Sequence, residues 1–163
     1  MPHATYIRVD ERLIHGQILQ KWLSKTGCKK IFIIDEELSK DVIMHSVLSL
    51  TLPEKVQAEF FDVQTGAIQI QHVKEDLFLL LKDLETAWKL LEHGVYMKSI
   101  NICRLPYMSG KKKIFQNIFI SSEEEEILYK MLSKKIDVYV QMVPDNDVIQ
   151  IADLLHVEAS DEK

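Results

Sequence analysis

The sequence is short of the residues that announce chemistry on their own. It has two cysteines, five glycines and four prolines in 163 residues. Cys28 and Cys103 lie far apart and neither belongs to a CxxC pair. Two free thiols in a reducing compartment are expected, with neither a disulfide nor a zinc framework. His3, His45, His72, His93 and His156 have no i, i+4 histidine and no nearby cysteine, so no metal is expected. GxGxxG is absent, which disfavours dinucleotide binding. Gly110-Lys111 lacks the upstream glycine and the Ser/Thr of a P-loop, and the GxSxG of the common hydrolase elbow is missing too. The longest strongly apolar stretch, around Leu77 to Leu81, is far too short to span a bilayer. The start, MPHATYIRVD, has no basic region followed by an apolar run, so no signal peptide is expected. A cytoplasmic protein that meets a membrane only through partners is the resulting expectation.

What is present is ordinary for a globular chain: 47% hydrophobic and 28% charged residues. The net charge of −5, from 20 basic and 25 acidic residues, makes nucleic acid a poor partner. Lys111-Lys112-Lys113 reads as a solvated turn. No Pro/Gly/Ser-rich linker and no internal repeat divides the chain. A single α/β domain over 1–157, followed by a polar tail over 158–163, is expected.

Short β-rich runs alternate with helical patterns. Strands are expected at Thr5 to Val9, Lys30 to Ile34, Val56 to Val63, Asp76 to Leu81, Ser99 to Cys103, Ile114 to Ile120 and Asp137 to Val143. Helices are expected at Gly16 to Lys25, from a Ser39 cap to about Ser49, and at Thr65 to His72 and Leu84 to His93. Two more are expected from a Ser122/Glu125 capping box to about Lys134 and at Asp147 to Leu155. Unbroken apolar runs such as Ile31 to Ile34 suit strands buried on both faces. The pattern predicts a doubly wound, mainly parallel open sheet of about seven strands with helices on both faces. The link from Cys103 to Ile114 is too short for a helical crossover, so a local antiparallel pair is expected near residues 99–120. Such sheets bind ligands beyond the carboxyl ends of their strands, here Asp10, Asp35, Asp62, Lys82 and Arg104 with their loops.

One segment concentrates chemistry at such an end: Arg8-Val9-Asp10-Glu11-Arg12-Leu13-Ile14-His15-Gly16-Gln17. It leaves the first strand and enters the first helix, so the free amides and positive dipole end of that helix lie close to His15. Neutral imidazole is a competent nucleophile toward phosphorus at neutral pH. Phosphoryl transfer depends mainly on positioning and on stabilising charge on the equatorial oxygens. Arg12 offers those oxygens a planar fork of donors. The amides beginning at Gly16 and Gln17 offer the same without a side chain, and Gly16 removes a Cβ where phosphate must come close. Asp10 has three roles open to it: holding the loop, orienting Arg12 or setting the His15 tautomer. Arg8 shares strand parity with Asp10 and is placed to pair with it. Leu13 and Ile14 either pack under the first helix or serve a docking face. Taken singly, each residue has an ordinary structural use; together they read as an anion-binding loop.

RVDERLIHGQ closely resembles the signature R-I-D-D-R-L-I-H-G-Q of the enzyme IIB subunit in the mannose/fructose/sorbose family of the bacterial phosphoenolpyruvate-dependent phosphotransferase system, differing at Val9 and Glu11. The likeness continues through Trp22, Asp35-Glu36, Lys82 and Gly94 followed by Lys98-Ser99-Ile100-Asn101-Ile102. The resemblance implies an open α/β fold, phosphorylation on His15, phosphoryl binding by Arg12 and support of the loop by Asp10, with no cofactor. It implies a phosphorylated IIA subunit as donor, a sugar as acceptor and the membrane subunits IIC and IID as partners. Mannose, fructose, sorbose and amino sugars such as N-acetylgalactosamine all stay open. The family commonly has a Gly-Gly turn after its fifth strand; here Cys103-Arg104-Leu105-Pro106 stands instead, and Arg104 adds a positive group at the rim. The alternative reading is an IIB-like regulatory module whose phosphorylation state a partner reads.

Overall fold

In the segment Leu77–Leu81 every residue is apolar and every side chain is buried. A strand achieves that only with a core on each face. The computed structural model describes residues 5–155 and supplies both cores. The strands are β1 (Thr5–Asp10), β2 (Lys30–Ile34), β3 (Gln57–Phe61), β4 (Leu77–Leu81), β5 (Ser99–Arg104), β6 (Lys112–Phe115), β7 (Ile118–Ile120), β8 (Asp137–Val140) and β9 (Ile149–Gln150). The helices are α1 (Gly16–Thr26), α2 (Val42–Ser49), α3 (Val63–His72), α4 (Leu84–Glu92) and α5 (Ser122–Ser133). Residues 151–155 are also helical. The expected tail at 158–163, with His3 and His156, lies outside the described residues.

Seven strands form one sheet in the order β3-β2-β4-β1-β5-β8-β9. All neighbours are parallel except β8 and β9. Strand alternation divides the side chains between two cores. Ile7, Val9, Phe32, Ile34, Leu77, Leu79, Leu81, Ile100 and Ile102 meet α3, α4 and α5 on one face. Ile31, Ile33, Phe78 and Leu80 meet Leu19, Trp22 and Leu23 of α1 on the other, where Leu48 of α2 also packs.

The doubly wound, mainly parallel sheet is as the sequence pattern predicts, but several details differ. The run 114–120 is two strands, not one. Asn117, in the left-handed region (φ 65°), reverses the chain between β6 and β7. The antiparallel pair is therefore this hairpin, a sheet of its own joined to Leu105 by a bridge to Ile118. The last helix starts after Asp147, because Ile149–Gln150 first pairs with β8. Capping is displaced too. Ser39 lies in a 3-10 turn (Leu38–Lys40), and Asp41 caps α2 by accepting from the Met44 amide. The capping box on α5 is Ser121 with Glu124, one residue earlier than the Ser122/Glu125 pair. Lys111 and Lys112 are not a solvated turn: they pair with Glu124 and Glu125 and fasten the hairpin to α5.

Candidate functional site

On β1 Tyr6, Arg8 and Asp10 face the α1 side; Tyr6 is exposed at the edge, and Arg8 and Asp10 are buried. The neighbouring strands repeat the pattern. Asn101 and Cys103 of β5 share that parity, with Tyr139 and Gln141 at the end of β8. The apolar face beneath α1 thus gives way, over β1, β5 and β8, to a polar layer. Buried polar groups are costly unless partnered, and here a guanidinium supplies most of the bonds. Arg8 Nη1 donates to Asn101 Oδ1 (3.1 Å) and to the Gln141 carbonyl (3.3 Å). Its Nη2 donates to the Met142 carbonyl (3.0 Å) and touches Cys103 Sγ. Arg8 also lies over the Trp22 ring, whose Nε1 donates to the same Met142 carbonyl (2.8 Å). The one buried side-chain atom among the described residues without a bond is Asn101 Nδ2.

Asp10 connects this layer to the loop above it. Its Oδ2 lies 3.8 Å from Arg8 Nη2 and accepts from Arg12 Nη2 at 2.8 Å. Its Oδ1 accepts from both the Arg12 amide and Arg12 Nε, each at 3.0 Å. Burial works against the Asp10 charge, but the side-chain and backbone donors of Arg12 outweigh it and hold the carboxyl below its usual range. Of the three roles open to Asp10, the contacts it makes are holding the loop and orienting Arg12. The loop turns tightly, with the Leu13 amide donating to the Asp10 carbonyl and Leu13 itself at φ 56°. A bulky residue in that region is strained, and such strain gathers in functional loops. Ile14 is buried and Leu13 packs beside it against the α1 core, so the packing alternative accounts for both.

His15 is the N-cap residue of α1, exposed, with no side-chain capping bond. The other four named helices have an aspartate or serine there, accepting from an amide of the first turn. α1 also has no acidic residue in its first turn. Its leading amides and positive dipole end, beginning at Gly16 and Gln17, therefore face outward beside the imidazole. A Cβ on Gly16 would meet no protein atom within 4 Å. Packing does not require glycine at this position. Gly16→Ala is expected to keep or raise stability by up to about 1 kcal/mol. If phosphate must approach here, its labelling rate falls, which melting curves and single-turnover labelling separate.

The other strand-end residues serve elsewhere. Asp35 accepts from the Leu38 amide, Asp62 caps α3 and Lys82 is exposed. Arg104 Nε pairs with Glu11 at 3.0 Å, which draws its guanidinium to the loop. No place at the site was expected for Asn101, Cys103, Tyr139 or Gln141. Their signal was polar residues at one parity in otherwise apolar strands.

Burial is the main cause that pushes the Cys103 thiol up, from 9.0 to about 11, against the opposing pull of Arg8. The folded chain then keeps a proton that the unfolded chain releases above pH 9. This contribution is whole below about pH 9 and lost as pH rises through about 11. Urea midpoints between pH 8 and 11 are expected to fall more steeply for the native chain than for Cys103→Ala.

Comparison with known proteins identifies this architecture. The structure superimposes on manxB from Thermoanaerobacter tengcongensis with a TM-score of 0.86, at 29% identity over 95% of this chain and 98% of that one. It superimposes on the IIBSor domain of the sorbose permease from Klebsiella pneumoniae with a TM-score of 0.89, covering 96% and 98% of the two chains at 18% identity, a likeness of fold. The N-acetylgalactosamine-specific phosphotransferase enzyme IIB component 1 of Escherichia coli K12 is 25% identical over 155 residues, 93% of this chain and 98% of that protein. Fold and sequence together define a IIB component of a phosphotransferase sugar system. The model of the sorbose-subfamily IIB component matches residues 4–163, and the chain belongs to that family.

Proposed function

We propose that His15 accepts a phosphoryl group from a phosphorylated IIA subunit and passes it to a sugar presented by the membrane subunits IIC and IID. The observation that carries this reading is the exposed imidazole heading the one uncapped helix of α1–α5, three residues after an arginine locked by a buried carboxylate. The imidazole nitrogen forms a P–N bond as the donor histidine leaves. Arg12 and the Gly16 and Gln17 amides meet the equatorial oxygens. In the second transfer a sugar hydroxyl oxygen forms the P–O bond and the P–N bond breaks. The hydroxyl proton passes to the nitrogen that phosphorus vacates. Asp10 holds Arg12 in line and takes no proton, since its carboxyl stays charged well below neutral pH.

Among the described residues no helix is long and apolar enough to cross a membrane. We place the protein at the cytoplasmic face, held there by its partners. The test is stepwise. Phosphoenolpyruvate with the upstream carrier proteins and IIA is expected to add one phosphoryl mass to the chain. Membranes bearing IIC and IID are expected to remove it only when sugar is present. A chain that charges but discharges to no sugar would belong to the regulatory alternative.

A further inference from the structure

Beyond β5 the chain makes the β6–β7 hairpin before the crossover helix α5, and beyond β8 it makes the 141–147 loop. Between them lies a cleft of about 380 Å³, within the roughly 300–1,000 Å³ of small-molecule sites. It sits at the carboxyl ends of two parallel strands, where open α/β sheets hold ligands. Cys103 forms part of its wall, and the Cys103 Sγ is 3.6 Å from Arg12 Nη2. The cleft therefore adjoins the phosphate loop on its Arg12 side.

The lining is chemically mixed. Phe115 and Ile149 supply apolar surface; Gln116, Asn117 and Asp147 supply polar groups. None of the described residues bonds to the side chains of Gln116, Asn117 or Asp147. Two amides donate and accept, and a carboxylate only accepts. That set matches a ring with several hydroxyls on its edge and C–H groups on its face. It does not match an anion, which Asp147 would repel.

We propose that this cleft is a subsite for the ring of a neutral monosaccharide, the acceptor of the phosphoryl group. The assignment rests on the carrier function proposed for His15. The carboxylate gives the subsite a direction: it accepts from hydroxyls of the neutral sugar and repels the sugar phosphate formed from it, so product leaves.

The test is a titration of the unphosphorylated full chain with mannose, sorbose and N-acetylgalactosamine, read by amide shifts in NMR spectra. Saturable shifts at Gln116, Asn117 and Asp147 are expected with at least one of these sugars. Affinity is expected to fall about 10-fold or more in Asp147→Ala and Gln116→Ala, and for the matching sugar phosphate. Both variants are expected to take up phosphate on His15 at the native rate. Absence of saturable shifts in the cleft for all three sugars would overturn the proposal. So would binding that neither variant weakens. A native chain that binds sugar but is never labelled on His15 would instead sink the carrier function and leave the cleft standing.

Discussion

Alanine at position 15 is expected to abolish phosphoryl uptake and leave the fold as it is. The His15 side chain is exposed and caps nothing, and surface changes of that kind move stability by about 0.5 kcal/mol or less. The proposed chemistry, in contrast, has no substitute, because it makes the imidazole nitrogen itself the acceptor. Labelling from phosphorylated IIA therefore drops from stoichiometric to nil, while circular dichroism and the urea midpoint hold. A His15→Ala chain that still charges would show that another residue is the acceptor.

Arg8 is expected to be the most costly residue to remove. Four bonds converge on its guanidinium, from Asn101, Cys103 and the Gln141 and Met142 carbonyls, and Asp10 stands opposite as counter-charge. Burial lowers its pKa, only partly opposed by Cys103 and Asp10, and an arginine stays charged in such a setting. Arg8→Ala leaves Asp10 with one cation and strips the donor from the Asn101 side-chain carbonyl and the Gln141 carbonyl, while the Met142 carbonyl keeps only Trp22 Nε1. The loss is expected at about 3–5 kcal/mol, readable as a shift in urea midpoint. Arg8→Lys keeps the charge without the fork, so it cannot reach both strands and the 141–147 loop together. That variant is expected to fold, and to lose transfer rate on the order of 10²-fold, the scale of a 1 Å misplacement. A native rate in Arg8→Lys would confine Arg8 to a structural role.

Much of this was legible in the sequence because local pattern and tertiary demand agree. Lys30–Ile34 was expected with those bounds, since an apolar run between polar turns has few alternatives. The loop from Asp10 to Gln17 was legible because its groups are contiguous. What escaped depends on partners far along the chain. Asn117 reverses the run 114–120 through a backbone state that its neighbours do not signal. Asp41 prevails over Ser39 as the cap because a 3-10 turn intervenes. The polar layer under the loop is spread over β1, β5 and β8. Its members look unremarkable singly and become evident only once strand order fixes which parities meet.

The bare start of α1 has a consequence for how far this fold can be stabilised. Aspartate or serine at position 15 would close the first turn as at α2 to α5, for a gain of about 1 kcal/mol. That oxygen would be a built-in rival occupying the seat meant for a visitor. The best-anchored version of this helix is thus an idle one. With His15 as the proposed carrier, selection for turnover would hold the protein below the robustness its own architecture permits.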